Sequence, residues 1–560
     1  MLSFNCGPAL MLVLGRILLY EILCGNYFLK GQNKRMITVL DYGAGNVRSV
    51  INAIENLGKT VRIVQTGEDI LSAEKLVFPG VGAFGSMMHI LKEKHFVEPL
   101  RAYLDSDRPF LGICLGMQAL FEKSEEAHGI EGLGFIKGSV KRFSIDLSVP
   151  HIGWNGLNIK QPSPIFKGFR GDEKFYFDHS YHVMPEEDTV VLTTTDYGYA
   201  FVSAIRKGHI IATQFHPEKS GGAGLQLLKN FLDAPPEATL PDRLSTGTRL
   251  AKRIIACLDV RTNDQGDLVV TKGDQYDVRE SGMVRNLGRP VELAGRYYRE
   301  GADEITFLNI TGFRDFPLED MPMIEVLKQT SRSVFVPLTI GGGIRDYMDK
   351  DGRKYSALEV AAEYFRSGAD KVSIGSDAVL IVEEYLKTGR KTGLSAIEEI
   401  SRVYGSQAVV ISVDPRRVYV RSPNAVKHHV IETAVPGPDG ERFCWYQCTI
   451  KGGREGRELD AVTLAKACEE LGAGEILLNC IDRDGTNIGF DHELINAVKK
   501  AVTIPVIASS GAGCVEHFHE VFTQTDAESA LAAGIFHRRE IPIGDVKDYL
   551  KGKVEIRVSG

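Results

Sequence analysis

Three short runs in the first half of the chain hold the residue types of nucleophilic catalysis. Residues 112–116 read GICLG, a cysteine with glycine close on either side. That spacing suits a sharp strand-to-helix elbow, where a bulky neighbour would clash and the amino end of the next helix favours a thiolate. FHPE at 215–218 places His216 and Glu218 two residues apart at an expected strand end. On one face of a strand, the carboxylate can orient the imidazole that holds the Cys114 proton. PGVG at 79–82 brings Gly80, Val81 and Gly82 into a turn where a backbone N–H can face a developing oxyanion. A lone buried cysteine is usually a small core residue. Three such elements, in this order and each at a strand end, point to acyl transfer through Cys114.

The second half carries paired carboxylates and glycine turns. Asp259 and Asp414 end the first and fifth of eight expected strands: 253–260, 304–311, 334–342, 371–375, 408–414, 475–482, 504–511 and 530–536. In a closed barrel those two strands lie opposite each other, so the two carboxylates face one substrate across the carboxyl-end mouth and suit paired acid and base work. Gly342 and Gly343 follow the third strand, Gly375 and Ser376 the fourth, Ser510 and Gly511 the seventh, and Ala533 and Gly534 lie in the eighth. Such turns present backbone N–H groups to a phosphate. The barrel also repeats itself, VPLTIGGGI echoing IPVIASSGAG and GADEITFLNIT echoing GAGEILLNCIDRDG. Two anion sites related by that repeat imply a long substrate with a phosphate at each end.

The elements that must position these residues follow from pattern. From Met36 strands alternate with amphipathic helices such as NVRSVINAIENLG, closed by Gly58, which implies an open, mostly parallel sheet with helices on both faces. Residues 234–248 are rich in Pro, Ser, Thr and charge and read as a linker. The eight strands beyond it, over 249–560, imply a (β/α)₈ barrel. The expected division is thus 1–35, 36–233, 234–248 and 249–560. The first 35 residues are mildly basic, and their apolar run 9–23 is broken by Arg16 and Glu21, too short and too charged for a spanning helix. They read either as a targeting segment or as an upstream extension before Met36. A net charge of −7 gives no case for nucleic acid or an anionic membrane as partner, and nine scattered cysteines fit a reducing compartment.

The runs PGVGAFG, GICLGMQ and HPEKS resemble the class I (triad) glutamine amidotransferases. The resemblance implies Cys114 as nucleophile, His216 as base and Glu218 as its orienter, with Gln118, Ser180 and Tyr181 holding glutamine. His179 and His182, in the same DHSYH run, are expected to be structural. The barrel runs AKRIIACLDV, VVTKGDQ, GADKVSIG, GSQAVV, GAGEILLNCIDRDG and IASSGAG resemble the cyclase of the imidazole glycerol phosphate synthases of histidine biosynthesis, fused in the eukaryotic order. That family implies phosphoribulosyl-formimino-aminoimidazole carboxamide ribotide as substrate. It implies proton shuttling by Asp259 and Asp414, a closing loop with Lys272, and a phosphate site beside Asp482, Arg483, Asp484, Gly485 and Thr486. It also implies that Arg253, Glu304, Lys371 and Glu475, the charges that open four strands, gate ammonia passing along the barrel axis; ordinary stability is the alternative at that face. Asn309 stands where bacterial relatives usually have Asp, Ser510 replaces a glycine, and 344–356 and 421–450 are longer than the bacterial loops. Cys444 and Cys448 in the latter read as ordinary thiols.

Two other readings compete. A pyridoxal phosphate synthase-like pair needs Schiff-base lysines inside the barrel, whose strand interiors are nearly lysine-free. A non-catalytic scaffold predicts loss of at least one of Cys114, His216, Glu218, Asp259 and Asp414, and all are present. No metal and no organic cofactor is implied. The expected partners are small molecules, in a monomer of fused domains, cytoplasmic or plastid according to the role of residues 1–35.

Overall fold

A computed structural model describes residues 36–558, apart from Ala44 and 234–247, 264–266, 272–278, 281–282, 285, 311–317 and 319–320. The N-terminal extension, all of the expected linker but Thr248, and Lys272 lie outside the described residues.

The first half is built on an eleven-stranded sheet. Its parallel part comprises β1 (Met36–Val39), β2 (Thr60–Ile63), β3 (Leu76–Gly80), β4 (Phe110–Cys114) and β8 (Ile210–Thr213), in the order β2-β1-β3-β4-β8. Antiparallel β7 (Tyr199–Lys207), β6 (Tyr181–Pro185) and β5 (Gly138–Arg142) extend it. Every residue of β3 and β4 is buried, as expected for strands covered on both faces. Helix α1 (Val47–Asn56) starts where the Asn46 side chain accepts the Ser49 N–H at 3.1 Å, and Gly58 leaves it at φ 76°.

The barrel strands are β9 (Arg253–Thr262), β10 (Glu304–Asn309), β11 (Leu338–Gly341), β12 (Lys371–Ile374), β13 (Val409–Val413), β14 (Glu475–Asn479), β15 (Val506–Ser509) and β16 (Ser529–Ala532). Each is parallel to the next, and β16 closes on β9 through the Arg253–Ser529 to Ala256–Ala532 pairs. All eight strands differ from the expected bounds by one to several residues, and two of the differences bear on expected site residues. β9 does not end at Asp259 but runs on to Thr262, because Leu268–Thr271 folds back antiparallel along it. Ala533 and Gly534 lie past β16, not in it: Ala533, at φ −124° and ψ −70°, leaves the extended conformation and opens the short helix Gly534–His537.

The two long loops are structured. Residues 344–356 hold a small hairpin, Tyr347–Met348 against Lys354–Tyr355. Residues 421–450 contribute to a four-stranded sheet of Pro415–Val420, Val430–Glu432, Phe443–Ile450 and Glu455–Asp460. Cys444 and Cys448 are buried free thiols on its central strand, and burial pushes the Cys444 thiol up to about 11.

The barrel's amino end meets the first domain. Trp154, fully buried, donates from Nε1 to Asp303 O at 3.2 Å. Asn46 donates to Asp370 Oδ1 at 2.8 Å, and Lys219 Nζ pairs with Asp370 Oδ2 at 2.6 Å.

The position of Cys114, the expected nucleophile, depends on glycine. Cys114 sits at φ 52°, ψ −106°, a strained conformation between β4 and helix α2 (Leu115–Gln118). The turn is so close to β3 that a Cβ on Gly116 would lie 2.1 Å from Phe78 O. Gly116→Ala is therefore expected to cost roughly 1–3 kcal/mol or more in a denaturant melt and to displace Cys114, with loss of the acyl transfer expected of that thiol.

Candidate functional site

Cys114, His216 and Glu218 converge at the carboxyl ends of β4 and β8, all three nearly buried. The strand geometry expected for FHPE is not what pairs the last two. β8 stops at Thr213, His216 N–H donates to Tyr176 O at 2.9 Å, and a 3₁₀ turn, Pro217–Lys219, brings Glu218 round. His216 Nδ1 then lies 2.9 Å from Glu218 Oε1. Burial opposes charge on this imidazole. The Cys114 sulfur and the Glu218 carboxylate outweigh it and hold His216 well above the ordinary histidine range.

The cavity before Cys114 is lined by Gly80, Val81, Gly82, Gln118, Ser180 and Tyr181, which brings the expected glutamine and oxyanion residues together. One detail differs. Val81 N–H is taken by Tyr42 Oη at 3.1 Å, and the same hydroxyl donates to Val81 O at 2.6 Å, so this amide faces Tyr42 in the present conformation. His179 and His182 are both held by hydrogen bonds within the protein, and His179 also lines this cavity. His179 bonds Tyr181 O (2.7 Å) and His151 Nδ1 (3.1 Å), and His182 bonds Tyr199 Oη at 2.6 Å. Burial lowers the His179 imidazole to about 3. Glu126 was not singled out by the sequence, where it is one acid in the loop EKSEEAHG. It lines the same cavity, accepts the Phe84 N–H at 2.8 Å, and is raised above the usual carboxylate range by burial. It is one of four acids lining the cavity, with Asp178, Glu218 and Asp370.

At the opposite, amino end of the barrel the four strand-opening charges form a closed ring with no exposed surface. Arg253 donates to Glu304 Oε2 at 2.7 Å and to Glu475 Oε1. Lys371 Nζ lies 2.7 Å from Glu304 Oε1 and 2.8 Å from Glu475 Oε2.

Asp259 lines the barrel-mouth cavity with Asp484, Gly485, Ser510, Gly511, Ala533 and Gly534. Asp482 is turned away from it, accepting the Arg417 N–H at 2.7 Å beside the inserted sheet. The glycine turns show the internal repeat directly. Gly342 and Gly343 have φ of 90° and 80°, and Ser510 and Gly511 have 72° and 99°. A Cβ on Gly342 would meet Asn309 O at 2.2 Å, and one on Gly511 would meet Gly489 O at 2.2 Å. Ser510 is the member of this set that carries a Cβ in the left-handed region. Gly375 and Ala533 both open helices without a side-chain cap, leaving first-turn amides for a ligand. Ser376 Oγ accepts the Lys451 N–H at 3.0 Å, which ties the inserted sheet to the first of these turns.

Asp414 follows β13 and accepts from Asn479 Nδ2 at 2.9 Å, a partner the sequence had not revealed. Burial raises the Asp414 carboxyl, against the Asn479 hydrogen bond that lowers it. Folded Asp414 therefore holds its proton more tightly than unfolded, and stability is lost as pH rises from the ordinary aspartate range through the raised value. Asp414→Asn, which never ionises, is expected to be more stable than the wild type at neutral pH by about 1 kcal/mol and to lose cyclisation. Thermal melts at pH 4 and pH 7.5, with the difference confined to the higher pH, check this.

Residues 38–234 match the family described as glutamine amidotransferase class-I, and residues 253–542 match the family described as histidine biosynthesis protein. The chain is similar to imidazole glycerol phosphate synthase hisHF, chloroplastic, of Arabidopsis thaliana, 59% identical over 93% of this chain and 90% of that protein. It is 56% identical to the hisHF protein of Schizosaccharomyces pombe over 92% of this chain and 98% of that one. The hisHF protein of Emericella nidulans is 54% identical over the same shares.

Proposed function

The chain belongs to the imidazole glycerol phosphate synthase family in its fused, bifunctional form, and from that premise we propose how its residues divide the work. The two activities are those of a glutamine amidotransferase and a cyclase of histidine biosynthesis. The division 36–233, 234–248 and 249–560 assigns one to each side of the linker.

Cys114 attacks the glutamine carboxamide to form a thioester; the nitrogen leaves as ammonia with the proton carried by His216, and water then frees glutamate. Glu218 orients His216, while Gln118, Ser180, Tyr181 and Glu126 hold the amino acid. The oxyanion is taken by the turn Gly80–Val81–Gly82 once Val81 N–H leaves Tyr42. Ammonia crosses to the barrel and attacks phosphoribulosyl-formimino-aminoimidazole carboxamide ribotide. Asp259 and Asp414 move protons from opposite sides as imidazole glycerol phosphate and aminoimidazole carboxamide ribotide form. One phosphate rests on Gly342, Gly343, Gly375 and Ser376, the other on Gly485, Ser510, Gly511, Ala533 and Gly534, with Asp484 beside it and Lys272 closing the mouth.

The observation that carries the coupled reading is the buried ring of Arg253, Glu304, Lys371 and Glu475 between the two sites. It lies on the barrel axis at the end that meets the amidotransferase domain, where a passage for ammonia must run. Fusion keeps the partner tethered, so a monomer suffices. No described helix is long and apolar enough to cross a membrane. Residues 1–35 serve as a plastid-targeting segment or precede a cytoplasmic protein starting at Met36.

Two experiments test this. In Cys114→Ala, glutamine-dependent product formation is expected to fall by about 10⁴-fold, while added ammonium restores cyclisation; failure of both nitrogen sources would refute the barrel assignment. In Lys371→Met, glutamate release is expected to persist while imidazole product per glutamate falls several-fold; an unchanged ratio counts against a gate.

A further inference from the structure

The two-residue spacing of His216 and Glu218 extends one step back, to Gln214. Gln214 has no exposed surface, and its backbone N–H donates to Ser203 O at 2.8 Å. Its side-chain Nε2 lies 3.4 Å from Cys114 Sγ. Its Oε1 accepts from Gln118 Nε2 at 3.2 Å, and that same nitrogen donates to Tyr181 O at 3.1 Å. Tyr181 O also accepts from His179 Nδ1 at 2.7 Å, and His179 Nε2 lies 3.1 Å from His151 Nδ1.

An amide side chain can turn end for end without changing shape, so the direction of this chain of bonds needs a physical reason. The Tyr181 carbonyl supplies it. A carbonyl oxygen has no proton to give, so Gln118 must present its NH₂ there. The second proton of that nitrogen then goes to Gln214 Oε1, which leaves Gln214 with its NH₂ toward the sulfur. The same carbonyl requires a proton on His179 Nδ1, so His179 Nε2 accepts from His151. One backbone oxygen thus sets the polarity of four linked side chains, and the end that reaches the nucleophile is a donor.

We propose that Gln214 is a further catalytic residue of the glutaminase, its amide N–H holding the Cys114 sulfur as a thiolate and aiming it, with Gln118 as the positioning residue that keeps that amide nitrogen-first. This rests on the reading of Cys114 as nucleophile and deepens it. When the sulfur lone pair forms the C–S bond and the C–N bond breaks, the leaving nitrogen takes the His216 proton and the sulfur loses its negative charge. The N–H···S bond then weakens, so Gln214 favours the thiolate without holding the thioester. A better-stabilised thiolate is less nucleophilic, but by less than half of the gain on a logarithmic scale. A tenfold gain in thiolate therefore costs about threefold in reactivity and leaves about a threefold advantage near neutral pH.

The test is the pH profile of Cys114 alkylation by iodoacetamide in the full-length protein, read at the Cys114 peptide by mass spectrometry. Gln214→Met keeps the volume and removes the donor. Its half-maximal alkylation is expected about one pH unit above wild type, with a high-pH plateau about threefold above wild type. Gln214→Glu, nearly isosteric, sets a carboxylate against the sulfur and is expected to shift further. Gln118→Met frees the Gln214 amide to turn and is expected to shift in the same direction by less, which keeps the test open if a Gln214 variant does not melt as a folded protein. Unchanged midpoints in all three, or a rate lowered equally at every pH, would overturn the role of Gln214. If alkylating Cys114 in the wild type leaves glutamate release intact, it is the reading of Cys114 itself that fails.

Discussion

Two positive and two negative side chains with no exposed surface meet at the amino end of the barrel, and the rest of the molecule is arranged around keeping them paired. Each ion costs several kcal/mol to remove from water, so one missing partner would be strongly destabilising. The ring persists because it is reciprocal, each cation bonding both carboxylates. That reciprocity requires the closed barrel, which brings β9, β10, β12 and β14 around one axis, and the first domain, which covers the ring from outside. The same burial reaches into the amidotransferase cavity. Asp178 lines that cavity, and its carboxyl is pushed up to about 7 by desolvation, against the lowering influence of Lys371 on one side and His216 on the other. The buried ring and the amidotransferase cavity therefore share one electrostatic environment at the domain junction.

The catalytic ends are governed by a different constraint, close approach of backbone. Gly116 against Phe78, Gly342 against Asn309 and Gly511 against Gly489 leave no room for a Cβ, and in each case the glycine sets a turn that presents N–H groups or a side chain to a ligand. The repeat of the barrel is visible as paired left-handed turns, and the serine at 510 keeps the conformation its glycine counterpart has, at some cost in strain. The inserted sheet at 415–460 touches the Gly375–Ser376 turn through Lys451, so a segment peripheral to the barrel still bears on the mouth.

Much of this was legible in the chain itself. Periodicity and turn residues located the eight barrel strands, because strand cores are long apolar runs bounded by glycine. GICLG, HPE and PGVG announced a thiol chemistry, because an elbow and an oxyanion turn tolerate few residue types. Boundaries were less legible. β9 outran Asp259 because a hairpin paired with it, and His216 and Glu218 met through a 3₁₀ turn, not along a strand; both outcomes depend on neighbours remote in sequence.

By itself, then, the sequence determined the two folds and their order, and it singled out Cys114, Asp259 and Asp414 as the candidate nucleophile and carboxylates, since these follow from local pattern and residue chemistry. Only the tertiary structure decided which polar groups meet. It placed Asn479 on Asp414, Glu126 in the cavity before Cys114, Tyr42 on the Val81 amide and Gln214 on the Cys114 sulfur. Hydrogen bonds of this kind form between atoms brought together by the packing of separate elements, and nothing in the identity of an asparagine or a glutamine says which partner the fold will give it.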